Sequence, residues 1–288
     1  MKKLLADVLA AALLALGGCG ADSAAASAAA SASVSSGAET SGSWQVYCFQ
    51  AGKADAILLY SGSAAVLIDT GESGFGKTIV SYLQNAGIGT LDALILTHFD
   101  QDHVGGAAKV LSSVTVKAVY TSDCPKSSKE YAKYLAALDS AGLTAVTVRE
   151  DTSFTLDGAV FSISPPQKTT YQTDESNNSS LITSVSFGQT RFLFAGDAEN
   201  DRIREFLGEN PGSYDFLKVP YHGHWQTALQ ELIDEVQPKY AVITSSDKEP
   251  EDDETVSALE AAGAQVFLTR EGGVLAVTDG KTITVSQT

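Results

Sequence analysis

The chain has 288 residues, and its 35 acidic residues outnumber 19 basic ones for a formal net charge of −16. A surface of that sign repels nucleic acid and anionic lipid at long range, so no stable nucleic-acid complex is expected. Three cysteines are present, and none of them forms a Cys-x-x-Cys spacing, which argues against a thiolate metal site. Composition leaves the oligomeric state open, and it also leaves open whether Cys48 pairs with Cys124.

The N-terminus has the features of an export signal. Met1-Lys2-Lys3 is basic, and the apolar run over residues 4–16 is too short to span a bilayer comfortably. The run ends in Leu16-Gly17-Gly18-Cys19, which resembles a bacterial lipoprotein signal. That resemblance implies cleavage before Cys19, a lipid on its sulfur and a place on the extracellular face of the cell membrane. A plain secretory signal is the alternative.

Composition divides the chain into three parts. Residues 1–18 are the predicted signal peptide. Residues 19–43 are mostly Ala, Ser and Gly, cannot bury enough apolar surface to order themselves, and are predicted to be a flexible tether. Residues 44–288 remain for the folded domain, with enough chain for one large core or two fused halves.

The domain begins with alternating strand and helix patterns. Short β-branched and aromatic segments predict strands at 46–49, 56–60 and 65–68. Asp69 ends the third strand. A helix is predicted over 77–85 because its apolar residues fall on one face, and a buried strand is predicted over 92–96.

A dense group of imidazoles and carboxylates follows that buried strand. Four potential metal ligands lie within six residues: His98, Asp100, Asp102 and His103. They can converge only if the backbone turns sharply, and a strand-to-helix loop before the predicted helix 107–111 supplies the turn. His and carboxylate together suit zinc, iron or manganese. A polar loop with chance histidines is the alternative, but two of only four histidines in the chain lie here.

The middle and end of the domain continue the alternation. Strands are predicted at 114–120, 145–148, 154–156, 160–163, 181–187, 191–194, 240–244, 266–268, 274–277 and 282–285, and helices at 129–140, 199–207, 228–236 and 255–262. A hairpin turn is predicted at Asp157-Gly158 and a loop over 165–175. Asp197 ends a strand beside Gly196, which favours a ligand position, although a helix N-cap is the rival interpretation. His222 and His224 follow Phe216-Leu217-Lys218-Val219-Pro220.

These motifs together resemble a known family. His-x-Asp-x-Asp-His-x-Gly-Gly after an apolar strand is similar to the signature of the metallo-β-lactamase fold. Asp100 stands where the commoner form has a second histidine, and this variant resembles the hydrolase domain of ComEC-type competence proteins and the related phosphorylcholine esterases. The resemblance implies an α/β fold, a four-layer αββα sandwich, with metals at one edge of the sheets.

The resemblance also implies two divalent metal ions, with zinc the first expectation and manganese or iron possible. One ion would be held by His98, Asp100 and Asp197, and the other by Asp102, His103, Asp197 and His222, with Asp197 as the bridge. Asp69 would orient the metal loop from behind, with a strand-end turn as the alternative. Asn178 would face substrate, face metal-bound water or cap its loop. His224 would lie behind the ligands, face substrate or act as an alternative ligand.

The chain departs from the family pattern in three places. It has no histidine between the first cluster and Asp197, so one metal has fewer nitrogen ligands than in classical metallo-β-lactamases. Tyr221 stands where the ComEC-like set has the first of two adjacent histidines. Glu249-Pro250 replaces a His-Pro before the last helix, which puts in doubt any substrate contact from that loop.

The implied chemistry is hydrolysis. Two cations about 4 Å apart lower the pKa of a shared water and so make hydroxide available near neutral pH. Asp102 is expected to orient that hydroxide and is the predicted catalytic residue. The predicted function is a secreted, lipid-anchored phosphodiesterase acting on nucleic acid or a phosphorylcholine-type ester. The alternatives are a lactam, lactone or thioester hydrolase on the same fold, and a non-catalytic surface binding protein that contains metal.

Overall fold

The computed structural model describes residues 42–288. The predicted signal peptide (1–18) and almost all of the predicted tether (19–43) lie outside the described residues and stay predictions. The first strand begins at Trp44.

The described chain alternates strands with helices. The strands are β1 (Trp44–Cys48), β2 (Ile57–Tyr60), β3 (Ala65–Ile68), β4 (Thr90–Leu91), β5 (Ala93–Leu96), β6 (Thr115–Val116), β7 (Val119–Thr121), β8 (Val146–Thr147), β9 (Thr152–Leu156), β10 (Ala159–Ser164), β11 (Ile182–Phe187), β12 (Thr190–Phe194), β13 (Phe216–Lys218), β14 (Tyr240–Ile243), β15 (Gln265–Leu268), β16 (Val274–Thr278) and β17 (Ile283–Gln287). The helices are α1 (Gly76–Asn85), α2 (Gln101–Val104), α3 (Ala107–Leu111), α4 (Lys129–Ser140), α5 (Glu175–Asn178), α6 (Asn200–Leu207), α7 (Thr227–Val236) and α8 (Asp253–Ala261). Short 3₁₀ helices cover Pro220–Gly223 and Thr269–Glu271.

The two large sheets are built alike. The first has the order β17-β16-β1-β2-β3-β5-β7-β8 and the second β15-β14-β13-β12-β11-β10-β9. In the first sheet β17 to β3 pair antiparallel, and β3, β5, β7 and β8 pair parallel. In the second sheet β9 to β12 pair antiparallel, and β12 to β15 pair parallel. Each sheet therefore has one hairpin half and one crossover half.

The core is divided among three interfaces. Side chains of both sheets, including Trp44, Phe161 and Phe194, form one buried cluster between them. Helices α1, α3 and α4 cover the outer face of the first sheet through residues such as Leu83 and Tyr134. Helices α6, α7 and α8 cover the second sheet in the same way. The order helix, sheet, sheet, helix confirms the predicted four-layer αββα sandwich.

The parallel halves determine where polar side chains gather. In open sheets of this kind, loops at the carboxyl ends of parallel strands form the binding edge. Asp69 follows β3, His98 follows β5, Asp197 follows β12 and His222 follows β13. The fold therefore presents the predicted ligands at one edge, with the two sheets contributing from opposite sides.

The predicted strand over 114–120 is wrong in one respect, because it is two strands. The chain first pairs with β4 and then crosses to β5, so Lys117 N–H donates to Leu91 O while Leu94 N–H donates to Ala118 O. Two short helices were also not predicted: α2 lies inside the ligand loop, and α5 follows the predicted loop 165–175.

The structure describes Cys48 and Cys124 as free thiols, Cys48 buried in β1 and Cys124 half-buried in a loop. Within residues 42–288, none of the helices combines the length and the apolar character that crossing a membrane requires.

Candidate metal centre

The ligand loop between β5 and α3 is held by close backbone packing. Thr70 N–H donates to His103 O over 2.8 Å, which ties the loop after β3 to the ligand loop. A Cβ on Gly106 would lie 2.3 Å from Thr70 O, and one on Gly105 would lie 2.4 Å from Ser73 N. Only glycine allows this approach, so the Gly-Gly pair after His103 fixes how the cluster folds.

The three central histidines share one arrangement. Each points Nε2 into a common space and uses Nδ1 as a donor to the protein. His103 Nδ1 lies 2.8 Å from Asp69 Oδ2, and His222 Nδ1 lies 3.1 Å from Thr244 O. Because both of those oxygens only accept, Nδ1 carries a proton, and Nε2 is the ring atom that a metal would bind.

His98 completes the set through a hydroxyl relay. Thr97 Oγ1 donates to Asp69 Oδ2 over 2.7 Å, so its lone pair can accept from His98 Nδ1, 3.2 Å away. Thr97 N–H also donates to Asp69 Oδ1 over 2.8 Å. The buried Asp69 carboxylate thus fixes His103 directly and His98 through Thr97. This is the orienting arrangement that metal-binding histidines ordinarily have.

The second sheet contributes Asp197 and His222 through strained turns. Gly196, at φ +53°, is close enough that a Cβ there would lie 3.0 Å from Thr97 Cβ. Tyr221 and His222 both have positive φ, 49° and 51°. Two consecutive non-glycine residues in the left-handed region are costly and are found mainly where function demands them. The turn places the His222 ring inside the site.

Distances at the centre of the site fit a shared cation. His222 Nε2 lies 3.0 Å from Asp197 Oδ2 and 3.4 Å from Asp102 Oδ2, and His103 Nε2 lies 3.2 Å from the same Asp197 oxygen. Two atoms bound to one zinc ion at about 2.0–2.1 Å cannot be more than about 4.2 Å apart. Asp102, His103, Asp197 and His222 therefore form one group able to hold a divalent ion.

Unsatisfied buried atoms indicate the same space. Among the described residues, Nε2 of His98, His103 and His222 and Oδ1 of Asp197 are buried without a hydrogen-bond partner. His103 Nε2 and His222 Nε2 instead lie 3.2 Å and 3.0 Å from Asp197 Oδ2, the distance of two ligands on one cation. Leaving such atoms unpaired costs about 1–3 kcal/mol each. Cations bound at these atoms would remove that cost, so the residues fit the two metals that the motif predicts.

The outer part of the site is organised differently. His98 Nε2 lies 3.9 Å from Asp100 Oδ1, within the ligand limit but farther than the inner contacts. Asp100 Oδ1 also accepts short contacts from Lys126 Nζ and Ser176 Oγ. Asp100 is 29% exposed, whereas His98 is fully buried. The structure therefore brings the two predicted ligands close together, but a basic side chain already engages one of them.

Electrostatics follows from the burial of opposite charges. Burial lowers the pKa of His103, but the Asp197 and Asp69 carboxylates outweigh it and hold that pKa well above its usual value. Burial raises the pKa of Asp197, but His222 and His103 hold it well below its usual value. Burial and the neighbouring His103 lower the pKa of His98 to about 4. The site is thus a carboxylate and imidazole cluster with opposite charges matched at its centre.

A buried ion pair lies behind the ligands. Lys218 Nζ contacts Asp55 Oδ2, donates to Gly196 O over 3.1 Å and lies 3.9 Å from Asp197 Oδ1. Thr244 Oγ1 donates to Asp55 Oδ1 over 2.7 Å. Asp55 also lies close to Asp69 and His103 as a second acidic group. This layer joins the loop before β2 to β13 and β14, directly under Asp197 and His222.

Two predicted site residues do not join the ligands. Asn178 is buried, accepts from Arg202 N–H over 3.0 Å and donates to Thr173 O over 3.2 Å, which are loop-capping contacts. His224 is partly exposed, with Nδ1 3.7 Å from Asp252 Oδ2 and its ring centre 5.0 Å from that of Tyr221. His224 therefore lies outside the group of ligand atoms.

Several residues around the site were not predicted. Asp55, Lys218 and Thr244 support it from behind, and Lys53, Lys126 and Ser176 contact Asp102 or Asp100 from the open side. Glu199 has a pKa raised to about 7 by burial and by the charges of Asp174 and Asp197. An acid within an apolar segment, as in Ala54-Asp55-Ala56, is the one signal that could have been used for Asp55.

A family comparison bears directly on this centre. Residues 50–245 match the model of the metallo-beta-lactamase superfamily. The chain belongs to this superfamily. Its members are in general metal-dependent hydrolases that bind divalent cations, and the His/Asp group described above is a candidate site for them.

Curated relatives carry the resemblance further. The chain is 31% identical over 170 residues to ComE operon protein 3 of Bacillus subtilis (59% of this chain, 22% of that protein). It is 30% identical over 207 residues to Recombination protein 2 of Haemophilus influenzae (70% and 24%). It is 26% identical over 203 residues to Competence protein ComA of Neisseria gonorrhoeae (69% and 27%). The chain thus spans about a quarter of each relative's length, and the predicted likeness to ComEC-type competence proteins is confirmed.

Solved structures agree on the fold. YhfI of Bacillus subtilis, a metallo-beta-lactamase fold protein, matches with a TM-score of 0.56 at 12% identity, covering 85% of this chain and 100% of that one. A CmlA beta-hydroxylase variant matches with a TM-score of 0.53 at 16% identity, covering 78% and 52%. Because CmlA is a hydroxylase, likeness of fold does not by itself determine the reaction that a protein catalyses.

Proposed function

We propose that the protein is a phosphodiesterase that depends on two divalent metal ions. The observation that carries this proposal is the group of Asp102, His103, Asp197 and His222, whose ligand atoms lie within 4.8 Å of one another at the carboxyl ends of strands from both sheets. The ring of His98, with a buried and unpaired Nε2, lies beside this group, 4.1 Å from the ring of His103. Asp102, His103, Asp197 and His222 would hold the inner ion, and His98 and Asp100 with Asp197 the outer one. Zinc is the first candidate because imidazole and carboxylate suit it, and manganese and iron share those ligands.

When bound, the cations would supply an activated water and would neutralise charge that builds up on a phosphate ester. The chain's own residues orient this chemistry. Asp69 and Thr244 hold the imidazoles of His103 and His222 in the tautomer that leaves Nε2 free. Asp102 lies on the open side, 21% exposed, and its pKa is lowered because His222 and His103 outweigh its burial. It therefore stays ionised near neutral pH, ready to orient the attacking water through a carboxylate oxygen.

The ester class rests on two further supports. Asp100 in the ligand loop is the variant found in the ComEC-like set, and relatives named for competence and recombination favour nucleic acid among phosphodiesters. The net charge of −16 opposes a stable complex with a polyanion. A small or cationic phosphodiester such as a phosphorylcholine ester suits that charge better, so the substrate is expected to be short or only transiently bound.

The test compares three chromogenic substrates on the full chain loaded with zinc or manganese. They are bis(p-nitrophenyl) phosphate, p-nitrophenyl phosphorylcholine and a β-lactam, with Asp102→Asn as the blank. Metal-dependent turnover of either phosphodiester, absent in Asp102→Asn, supports the proposal, and the ratio separates nucleic-acid-like from choline esters. Turnover of the lactam alone would overturn the ester class. If none of the three substrates is hydrolysed by protein with two metals bound, a non-catalytic binding protein is the better explanation.

We further propose that the protein is anchored by a lipid on Cys19 at the extracellular face of the membrane. The support is the sequence over residues 1–19 alone. Cys19→Ser should move the protein from the membrane fraction to the soluble extracellular fraction while Cys124→Ser should not. Equal partition of both variants with the natural protein would argue against the anchor.

A further inference from the structure

Two lysines at the mouth of the metal centre each pair with a predicted ligand carboxylate. Lys126 Nζ contacts Asp100 Oδ1, and Lys53 Nζ lies 3.6 Å from Asp102 Oδ2. Lys126 comes from the loop between β7 and α4, and Lys53 from the loop between β1 and β2. Both side chains are partly exposed, 32% and 20%, so the contacts are made from the solvent side.

Their position differs from that of the buried Lys218. Lys218 is fully buried and lies behind Asp197, where it supports the ligands. Lys53 and Lys126 instead lie beside Asp100 and Asp102, the two predicted ligands that are open to solvent. Such basic side chains on a chain of net charge −16 place positive charge at the opening of the site.

A divalent cation and a lysine on the same carboxylate weaken each other's binding, because both draw on the same negative charge. A cation that binds Asp100 must compete with Lys126, and it repels the ammonium once bound. The lysine side chain has a flexible aliphatic stem that ends in a compact ammonium group with three N–H donors. The displaced ammonium therefore remains beside the metal, where an anion bound at the centre presents its oxygens.

Room for a substrate exists on the Lys126 side. A surface cavity of about 220 Å³ is lined by Ser122 and Cys124 of the same loop as Lys126 and by Glu175 next to Ser176. Ser176, which contacts Asp100, lies in the same segment as Glu175 and Ser179, so this segment reaches both the outer ligand and the cavity. None of the predicted ligands lines the cavity itself.

We infer that Lys53 and Lys126 recognise the non-bridging oxygens of the substrate and make the site selective for esters that are negatively charged at the scissile group. This inference rests on the proposed phosphodiesterase function and deepens it. The lysines are specificity-determining residues: Asp100 and Asp102 hold them until metal binds, and they then turn to the substrate.

The inference predicts that Lys126→Ala changes zinc affinity and phosphate affinity in opposite directions. Lys126→Ala removes a competitor for Asp100, so zinc should bind the outer position more tightly, by several-fold. The same variant removes a charged donor to the substrate, so the affinity for inorganic phosphate should fall by about 10- to 100-fold, the usual range for a hydrogen bond to a charged group. Damage to the fold would weaken both kinds of binding together, and therefore cannot produce this pair of changes.

The experiment uses the full chain with Lys53→Ala, Lys126→Ala and Lys126→Arg. Lys281→Ala is the matched control, because Lys281 is exposed in the turn between β16 and β17, at the edge of the first sheet opposite the ligand loops. Zinc affinity is measured by competition with a chromophoric chelator, and phosphate affinity by calorimetry on zinc-loaded protein. The kcat/KM values are compared for anionic bis(p-nitrophenyl) phosphate and for neutral diethyl p-nitrophenyl phosphate, which shares its leaving group.

The expected result for Lys126→Ala is tighter zinc, weaker phosphate and a loss of kcat/KM for the diester with little change for the triester. Lys126→Arg should recover part of the phosphate affinity, and Lys281→Ala should match the natural protein. Unchanged phosphate affinity, or equal loss on both esters, overturns the inference. Failure of the proposed function is distinguishable, since it appears as no diester turnover by the natural protein whatever the lysine variants do to phosphate binding.

Discussion

The inner and outer parts of the metal centre differ in how the protein prepares them. In the inner part, Asp197 and His222 are buried, and His103 and His222 are each fixed by a hydrogen bond from Nδ1. In the outer part, Asp100 is partly exposed and is engaged by both Lys126 and Ser176. Among the inner ligands only Asp102 faces a lysine, with Lys53 Nζ 3.6 Å away, so the inner group needs less rearrangement to bind a cation than Asp100 does. We therefore expect one tight and one weak metal position.

The largest effect is expected where both positions meet. Asp197→Asn removes the carboxylate proposed to bridge the ions, so both should be lost or greatly weakened, with activity falling by at least about 10²–10⁴-fold, the equivalent of several kcal/mol of charge stabilisation. Metal content after gel filtration, measured by mass spectrometry, checks this. Asp139→Asn, an exposed acid on α4, is the control. Retention of two metal equivalents in Asp197→Asn would remove the bridge from the proposal.

Separate loss of each position tests the comparison directly. His222→Ala should abolish the tight zinc site and His98→Ala the weak one, because each removes an unpaired Nε2 from a different part of the centre. His224→Ala should leave both intact, since its ring pairs with Asp252 outside the ligand group. A two-site zinc titration distinguishes the three variants. If His98→Ala removes the tight site, the assignment of inner and outer positions is reversed.

How far the sequence predicts this centre depends on how local each contact is. His98, Asp100, Asp102 and His103 lie in one loop, and the preceding apolar strand β5 is enough to place them together. Asp197 and His222 could be predicted because each follows a buried strand and because the family resemblance orders the motifs. The loop that places His222 contains two consecutive residues in the left-handed region, Tyr221 and His222. Neither residue type predicts that conformation from the sequence.

The supporting contacts could not be predicted because they join distant segments. Asp55 and Thr244 are 189 positions apart, and Ser176 lies 76 positions from Asp100. Neither pair has a pattern that links its members in the chain. For Asn178 the sequence left a substrate-facing role and loop capping open, and the structure shows its amide on Arg202 N–H and Thr173 O, which are loop-capping contacts. Local motifs therefore predict ligands, whereas packing decides which neighbours orient or compete with them.

The buried ion pair under the inner part predicts a stability difference. Lys218→Met leaves the Asp55 carboxylate buried without its cation, which should lower the free energy of unfolding by about 3–5 kcal/mol. Lys239→Met is the matched control, because Lys239 is 73% exposed in its pair with Asp215 and should cost less than about 1 kcal/mol. Urea unfolding of the two variants checks this. Equal midpoints would mean that the pair contributes nothing beyond a surface contact.

The smallest effect concerns the carboxylate that orients the inner histidine. In Asp69→Asn, one carboxylate oxygen becomes an NH₂ group, which must face either the His103 Nδ1–H or the Thr97 N–H, so two donors oppose each other in either orientation. The cheapest relief is for His103 to move its proton to Nε2, the atom that would bind metal. Inner-site zinc affinity should fall by about 10- to 100-fold, as for other partners of metal-bound histidines. Chelator competition measures the affinity, and ¹⁵N spectra of the ring report the tautomer. A weaker site with the tautomer unchanged would show that Asp69 acts through its charge and not by orienting the ring.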